Sequence, residues 1–384
     1  MWAARTVSQC GDIINAVTLT LLVYDLTGSG FGVSSVVVAE ILPVLLLAPV
    51  AGALVDRLPR VRVMVGADLW RAGLVALLAC SHQHLGVVLG VAFGLSVGTV
   101  FFSPAAGSAL PDVVEESDVV AANSGIWTAA VLCQIVLSPA AGLLVVTFGF
   151  GWGFALNAVS YLASAALLRR LRLPSSVATA LRRRLSRDAL EGARVLLADR
   201  LLRAMAIAQL LAALSAGATS ALLVVYAGQQ LRTSGSGYGT LLAAIGLGAC
   251  LGPLLVLRHV RNPRRPLLVF GPMGLRGVVD LLLAGTSWLP LAAAGLVGYG
   301  LATSTGSVTF TSLLQTHTPE RMRGRVLATM DLLWQTGRLA SLALGALVAQ
   351  TLGIGSVYLI GGLLLLAASC YGAIAIRTMP VSAS

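Results

Sequence analysis

The sequence predicts an all-α integral membrane protein with twelve transmembrane helices in two pseudo-symmetric six-helix bundles. Three observations carry that prediction. Of 384 residues, 57% are hydrophobic and only 11% charged, where a soluble domain carries roughly 25% charged residues. The apolar residues come in runs of about 20, the length that crosses a hydrocarbon core. One long Arg-rich connection, residues 171–200, divides those runs six and six. Strand-like alternation is missing from the runs, which leaves helices as the way to satisfy the backbone in lipid.

The first six spans are read at 7–26, 33–55, 61–80, 87–110, 120–147 and 151–168. Span 1 has Asp12 in its apolar stretch and no convincing cleavage site, so it is a retained helix rather than a signal peptide. Spans 1 and 2 are joined so tightly, at 27–32, that they must run antiparallel. Span 3 holds Asp68 and Arg71, while span 4 has no charge between Gly86 and Leu110. Span 5 contains Pro139, which frees a backbone carbonyl and bends its helix. Span 6 carries Asn157 and ends at an arginine cluster. The second six are read at 201–227, 236–257, 266–285, 289–313, 325–349 and 352–376. The bundles are therefore 1–170 and 201–384. In the linker, 171–200, residues 174–180 read as a flexible stretch. Beyond them, Leu190, Ala193 and Leu197 fall on one stripe of an amphipathic helix lying on the membrane face.

All 26 basic residues are arginine. A chain without lysine has no Walker lysine and no Schiff-base amine, which excludes P-loop ATP hydrolysis and imine chemistry. Twenty-three arginines fall on one side, at the termini, in the even-numbered connections or, like Arg71, near the cytoplasmic end of a span, with Arg232 on the other side and Arg276 and Arg338 inside spans. Positive-inside topology explains the net charge of +11 without a nucleic-acid partner. It places both termini in the cytoplasm of a bacterial cell. Cys10, Cys80, Cys133, Cys250 and Cys370 are scattered singly and read as small buried apolar residues. The isolated His82-x-His84 has no partner nearby, so neither metal nor cofactor is expected.

After span 2 the chain reads Gly52-Ala-Leu-Val-Asp56-Arg57-Leu-Pro59-Arg60-Val-Arg62. This resembles the signature loop of the major facilitator superfamily, G-x-x-x-D-R-x-G-R-R/K, with Pro59 in place of its second glycine and Val61 in place of a basic residue. Phe101-Phe-Ser-Pro104 through Leu110-Pro111-Asp112 and Ala122-Asn123-Ser124 resembles the 4–5 connection of bacterial efflux members. Pro319-Glu-Arg-Met-Arg323-Gly324-Arg325-Val326 is similar to their 10–11 connection. With Gly11-Asp12 and Glu191-Gly192, these stretches resemble the enterobactin-exporter and macrolide-efflux-like branch across nearly the whole chain. The resemblance implies a two-bundle transporter that exports. It also implies a cytoplasmic gate built from Gly52, Asp56, Arg57, Arg60, Asp68, Arg71, Arg323, Gly324 and Arg325, and a monomer. Two departures stand out. The 4–5 connection is acidic (Asp112, Glu115, Glu116, Asp118), and span 4 lacks the superfamily's intramembrane arginine, which puts a common proton-coupling arrangement in doubt. Ser138-Pro139-Ala-Ala-Gly142 resembles a degraded antiporter motif, although small-residue packing accounts for the same letters.

A charge at a helix centre costs about 2.5–3.5 kcal/mol on insertion scales, so such residues pair or line a cavity. Asp68 and Arg71 are spaced i,i+3 and read as a latch with the preceding loop. Arg276 and Asp280, at i,i+4, can neutralise each other. Asp12 with nearby Asn15, Glu40 and Asp331 have no opposite charge one turn away. They are the candidates for proton or substrate coupling, with Arg338 two turns beyond Asp331 on the same side of span 11. Trp127, Gln134, Asn157, Gln209, Trp334 and Gln335 are candidate cavity residues, each of which can alternatively bridge helices.

These features predict a secondary active transporter rather than an enzyme. It exports a small lipophilic molecule (a drug, siderophore or secondary metabolite) by alternating access, with protons as the coupling ion. Two other readings of the same fold are import of a nutrient and a non-transporting sensor or scaffold.

Overall fold

A computed structural model of the chain describes residues 2–55, 58–109, 119–171, 194–233, 235–259, 267–318 and 322–377. Among them no strand is present. The helices of the N-terminal half are α1 (Trp2–Thr27), α2 (Gly30–Val55), α3 (Arg60–Cys80), α4 (Leu85–Ala109), α5 (Val119–Phe148) and α6 (Phe150–Leu168). They are followed by α7 (Arg200–Ala221), α8 (Leu223–Gln229), α9 (Gly235–His259), α10 (Leu267–Gly285), α11 (Leu289–His317), α12 (Arg323–Leu352) and α13 (Ile354–Arg377). Ten of these contain a stretch long and apolar enough to cross a membrane. The described apolar part of α5, Cys133–Phe148, is shorter. In α11 the run Thr303-Ser-Thr-Gly-Ser307 dilutes the hydropathy.

Span 7 differs from its expected single helix. It breaks at Leu222, whose φ −87° and ψ 10° separate α7 from α8. Several helices outrun the predicted apolar segments, α1 beginning at Trp2 and α11 running to His317. A helix keeps its own backbone bonded past the apolar boundary, so hydropathy alone underestimates its length. Residues 194–198 are helical, and the Asp199 carboxylate then caps α7 by accepting from the Leu202 amide at 2.8 Å. On this short stretch Leu197 is exposed and Leu196 is buried in the core around Met205 and Phe270. Leu190 and Ala193 lie outside the described residues.

The chain separates into two compact units, Met1–Leu181 with Thr233–Ala243, and Arg182–Arg232 with Ala244–Ser384. In the first, α6 packs on α1 and α3, α1 on α5, and α3 on α4. In the second, α13 packs on α7 and α10, α7 on α12, and α10 on α11. The same four pairings recur in the same order. So does local conformation: Gly149, between α5 and α6, has φ +85°, and Gly353, between α12 and α13, has φ +83°. Their ψ values are 171° and 163°, a region open essentially to glycine alone. Sequence repeats too. Gly66, Arg71, Leu77, Leu78 and Ala79 of α3 match Gly271, Arg276, Leu282, Leu283 and Ala284 of α10 in one ungapped register.

Small residues set the closest helix approaches, as expected where lipid offers no hydrophobic drive between helices. A Cβ on Gly11 of α1 would run into Ser160 and Asn157 of α6, and one on Gly153 of α6 would run into Thr18 of α1. This reciprocal pair brings α1 and α6 close enough for their polar side chains to meet.

Candidate functional site

In the first unit, α1, α3, α4 and α6 bring together one polar cluster. Asp68 and Arg71 of α3 are 0% and 3% exposed and form an ion pair. The guanidinium lies between two aromatic faces, its central carbon 4.6 Å from the Phe102 ring centroid and 4.5 Å from that of Tyr161. Such stacking favours a delocalised planar cation. Ser164 of α6 donates to the other Asp68 oxygen at 2.6 Å. One turn away, Tyr161 donates its hydroxyl to Asp12 of α1. Asp12 lies in the electrostatic field of Arg71 and of Asp68, and it is half-buried where Asp68 is fully buried. Two carboxylates thus lie near one guanidinium, Asp68 in direct contact with it and Asp12 through the Tyr161 ring that stacks on it. With both ionised the set carries a net −1, which a low-dielectric surrounding disfavours. One bound proton makes it neutral.

In the second unit the repeat-related Arg276 of α10 has a different set of partners. It donates to Tyr299 of α11 at 2.8 Å, with its guanidinium carbon 4.7 Å from that ring's centroid. Asp280, one turn along α10, lies in the field of Arg276 and accepts from Ser215 of α7 at 3.4 Å. Arg276 and Asp280 make no direct ion pair, and Arg276 Nε has no hydrogen-bond partner among the described residues.

Beside Arg276 lies a cavity of about 260 Å³, whose walls include Gln209 of α7, Met273 of α10, Thr303, Ser307 and Phe310 of α11, and Asp331 and Trp334 of α12. Its volume is close to the lower end of small-molecule sites, and its mixture of apolar walls with a few polar groups is typical of them. Asp331 is exposed on this wall and, among the described residues, has neither a hydrogen-bond nor an ion-pair partner.

Of the sequence-predicted residues, the structure therefore gathers Gln209, Asp331 and Trp334 around one cavity, and Asp12, Asp68, Arg71 and Asn157 around one buried cluster. Asp68 pairs with Arg71 and accepts from Ser164 of α6, while Asp56 and Arg57 of the preceding loop, with which a latch was expected, lie outside the described residues. Arg276 and Asp280 reach Tyr299 and Ser215 instead of meeting in a direct pair. Asn15 and Asn157 are buried, with Asn15 Oδ1 and Asn157 Nδ2 unbonded. Glu40 is exposed on α2, its carbonyl accepting from Ser96. Gln134 and Gln335 are half-buried. Arg338 does not line the cavity, and its backbone carbonyl lies against Gly217. Arg60 begins α3, Gly52 lies in α2, and Arg325 donates to the Met322 sulfur at 3.5 Å. Asp56 and Arg57 lie outside the described residues, as do the side chains of Trp127 and Arg323, and Gly324 lies in α12. Among the described residues no group of three His, Cys, Asp or Glu side chains is placed to hold a metal.

Sequence reasoning missed Tyr161, Ser164, Tyr299 and Ser215, the neutral partners of the charges. A signal existed for the first two: Asn157, Ser160, Tyr161 and Ser164 recur at i, i+3, i+4 and i+7, a polar stripe in an otherwise apolar helix. The cysteines also differ from the reading. Cys80 and Cys370 are exposed, and the Cys10 and Cys133 sulfurs lie 3.1 Å apart, bridging α1 and α5.

The family model described as transmembrane secretion effector matches residues 1–382. The multidrug efflux pump Tap of Mycolicibacterium fortuitum is 28% identical over 375 residues, covering 94% of this chain and 90% of that protein. Macrolide efflux protein A of Streptococcus pyogenes is 30% identical over 149 residues, but the match spans only 38% of this chain and 36% of that protein's length. Among solved structures, a bacterial homologue of the iron transporter ferroportin, in an inward-facing state, superposes with a TM-score of 0.74 at 16% identity over 97% of both chains. A nucleoside transporter superposes with a TM-score of 0.77 at 12% identity, covering 97% of this chain and 98% of that one. Both likenesses concern the fold.

Proposed function

The chain belongs to the transmembrane secretion effector family, a membrane transporter of the major facilitator type, and from that premise we propose that it exports a small lipophilic molecule by alternating access in antiport with protons. The observation that carries the proton half is a cluster of two carboxylates and one guanidinium, with Asp68 paired to Arg71 and Asp12 bonded to the Tyr161 that stacks on Arg71. A cluster that is neutral only with one proton bound is a place to load and release that proton, and half-buried Asp12 is its exchangeable end. The cavity beside Arg276 and Asp331 is the substrate's wall in the second unit. The names of relatives that carry drugs outward support the direction.

The energetics are sufficient. One charge crossing 100 mV is worth about 2.3 kcal/mol and one pH unit about 1.36 kcal/mol. Together they sustain a gradient of a few hundred-fold for a neutral substrate, at about 1.4 kcal/mol per decade. The protein acts as a monomer in the bacterial cell membrane, with both termini in the cytoplasm where the arginine-rich connections lie.

The test is extrusion of a panel of lipophilic dyes and antibiotics from an efflux-deficient bacterium expressing the chain, with and without a protonophore. Extrusion above the empty vector that the protonophore abolishes supports the reading. Accumulation that rises above the control would favour import instead.

A further inference from the structure

We infer that the short helix leading into α7 is a docking surface for an anionic phospholipid, with Leu197 among the acyl chains and Arg194, Arg200 and Arg203 around the lipid phosphate. This goes beyond the transport reading and depends on neither its direction nor its coupling ion.

The position of the segment comes first. Arg200 opens a stretch long and apolar enough to cross a membrane, so the helical residues 194–198 lie where that span leaves the hydrocarbon. Leu196 is 3% exposed and packs in the core with Met205 of α7, Phe270 of α10 and Val326 of α12. Its neighbour Leu197 is 62% exposed. One leucine therefore anchors the segment to its unit while the next is presented outward at the membrane boundary. An apolar side chain in that place gains by entering the acyl region, as on helices that lie in the interface.

The charges around Leu197 set what it meets there. Arg194, one turn earlier on the same helix, is exposed, as are Arg200 and Arg203 of α7. Arg203 is turned back towards the short helix, where its Nη1 donates to the Leu197 carbonyl at 3.3 Å. That bond holds a guanidinium beside the exposed leucine, and the planar fork has further N–H groups for a ligand. The one acid between Arg194 and Arg203 is Asp199, and its carboxylate accepts from the Leu202 amide at 2.8 Å. Three positive charges thus surround one outward leucine, against a single carboxylate turned onto the α7 backbone. Positive-inside topology accounts for arginines on this side of the membrane, but not for an exposed leucine held between them.

Phosphate is the group that matches a guanidinium fork, through paired N–H donors. Each arginine near an anionic membrane surface tightens binding about fivefold. A phosphatidylcholine offers the same phosphate together with a cation of its own, which the three arginines repel. Phosphatidylglycerol carries no such cation, so lipids of net negative charge are the preferred class.

The experiment reconstitutes the full chain in phosphatidylcholine vesicles that contain a small share of phosphatidylglycerol bearing a diazirine on its upper acyl chain. A parallel preparation carries the same diazirine on phosphatidylcholine. After irradiation, mass spectrometry of the digested protein locates the label. The phosphatidylglycerol probe is expected to label residues 195–202 at least fivefold more than the phosphatidylcholine probe. Arg194→Gln combined with Arg203→Gln should bring that ratio close to one, and Arg203→Lys should keep most of it. Arg169→Gln, at an exposed arginine of the first unit, should leave it unchanged. The lysine variant guards against a loss caused by misfolding. Equal labelling by the two probes, or a ratio indifferent to the double variant, would overturn the assignment. So would inorganic phosphate that lowers the ratio more than sodium chloride of equal ionic strength, because the site would then bind a free anion and not a lipid.

Discussion

Tyr161 donates its phenolic hydrogen bond to Asp12, joining α6 to α1 across 149 residues of sequence. Through this bond the Asp12 carboxylate is tied to the aromatic face on which Arg71 rests, and so to the Arg71–Asp68 pair. The second unit repeats the arginine, at Arg276, but there the guanidinium donates to a tyrosine hydroxyl, Tyr299, and Asp280 accepts from Ser215 without a direct ion pair between the two.

Asp12→Asn removes the surplus carboxylate while keeping its size. Dye extrusion should fall at least tenfold and lose its protonophore sensitivity, with the membrane level of the protein unchanged on a blot. Tyr161→Phe removes one hydrogen bond to a charged group, worth about 1.5–3 kcal/mol, and should give an intermediate rate.

Arg71→Ala strips both carboxylates of their cation. Breaking a buried pair in this way costs about 3–5 kcal/mol, so the melting midpoint of the detergent-purified protein should drop clearly. Adding Asp68→Asn to Arg71→Ala should recover part of the loss. Arg71→Lys should not restore the wild-type midpoint, because an ammonium cannot lie flat between Phe102 and Tyr161.

Gly11→Ala places a Cβ against Ser160 and Asn157. Overpacking of this kind costs about 1–3 kcal/mol and should lower the melting midpoint. Combining it with Ser160→Gly should restore part of the drop. Unchanged stability of the single variant would contradict the close approach of α1 and α6.

Diamide, which takes up two hydrogens as two thiols join, should link Cys10 to Cys133, since their sulfurs lie 3.1 Å apart. Mass spectrometry of the intact protein should show two hydrogens lost and one linked peptide pair. Cys10→Ser should abolish the link and leave Cys80 and Cys370 free to alkylate.

Much of the architecture was legible because length and hydropathy of each run are local properties. Asp12, Asp68 and Arg71 were each noticed as charges out of place in lipid. Their assembly was not, because the contact depends on how Gly11 and Gly153 let α1 and α6 close, and spacing along one helix says nothing about a partner on another. Cys10 and Cys133 met for the same reason. Asp331, Gln209 and Trp334 were chosen for polarity in apolar spans and do share a cavity. Glu40 and Arg338, chosen on the same ground, lie elsewhere, since polarity marks a residue as unusual without saying which way its helix turns it. The break at Leu222 left no mark in the sequence, for it has neither proline nor glycine.

The most direct test of proton-coupled export through the first unit uses everted membrane vesicles with an acidic interior, followed by a pH-sensitive quenched dye. Addition of a lipophilic dye that cells expressing the chain extrude should release protons, seen as recovery of fluorescence, together with uptake of the lipophilic dye. Asp12→Asn vesicles should show neither. Uptake of the lipophilic dye without proton release, or equal proton release from Asp12→Asn vesicles, would contradict the account.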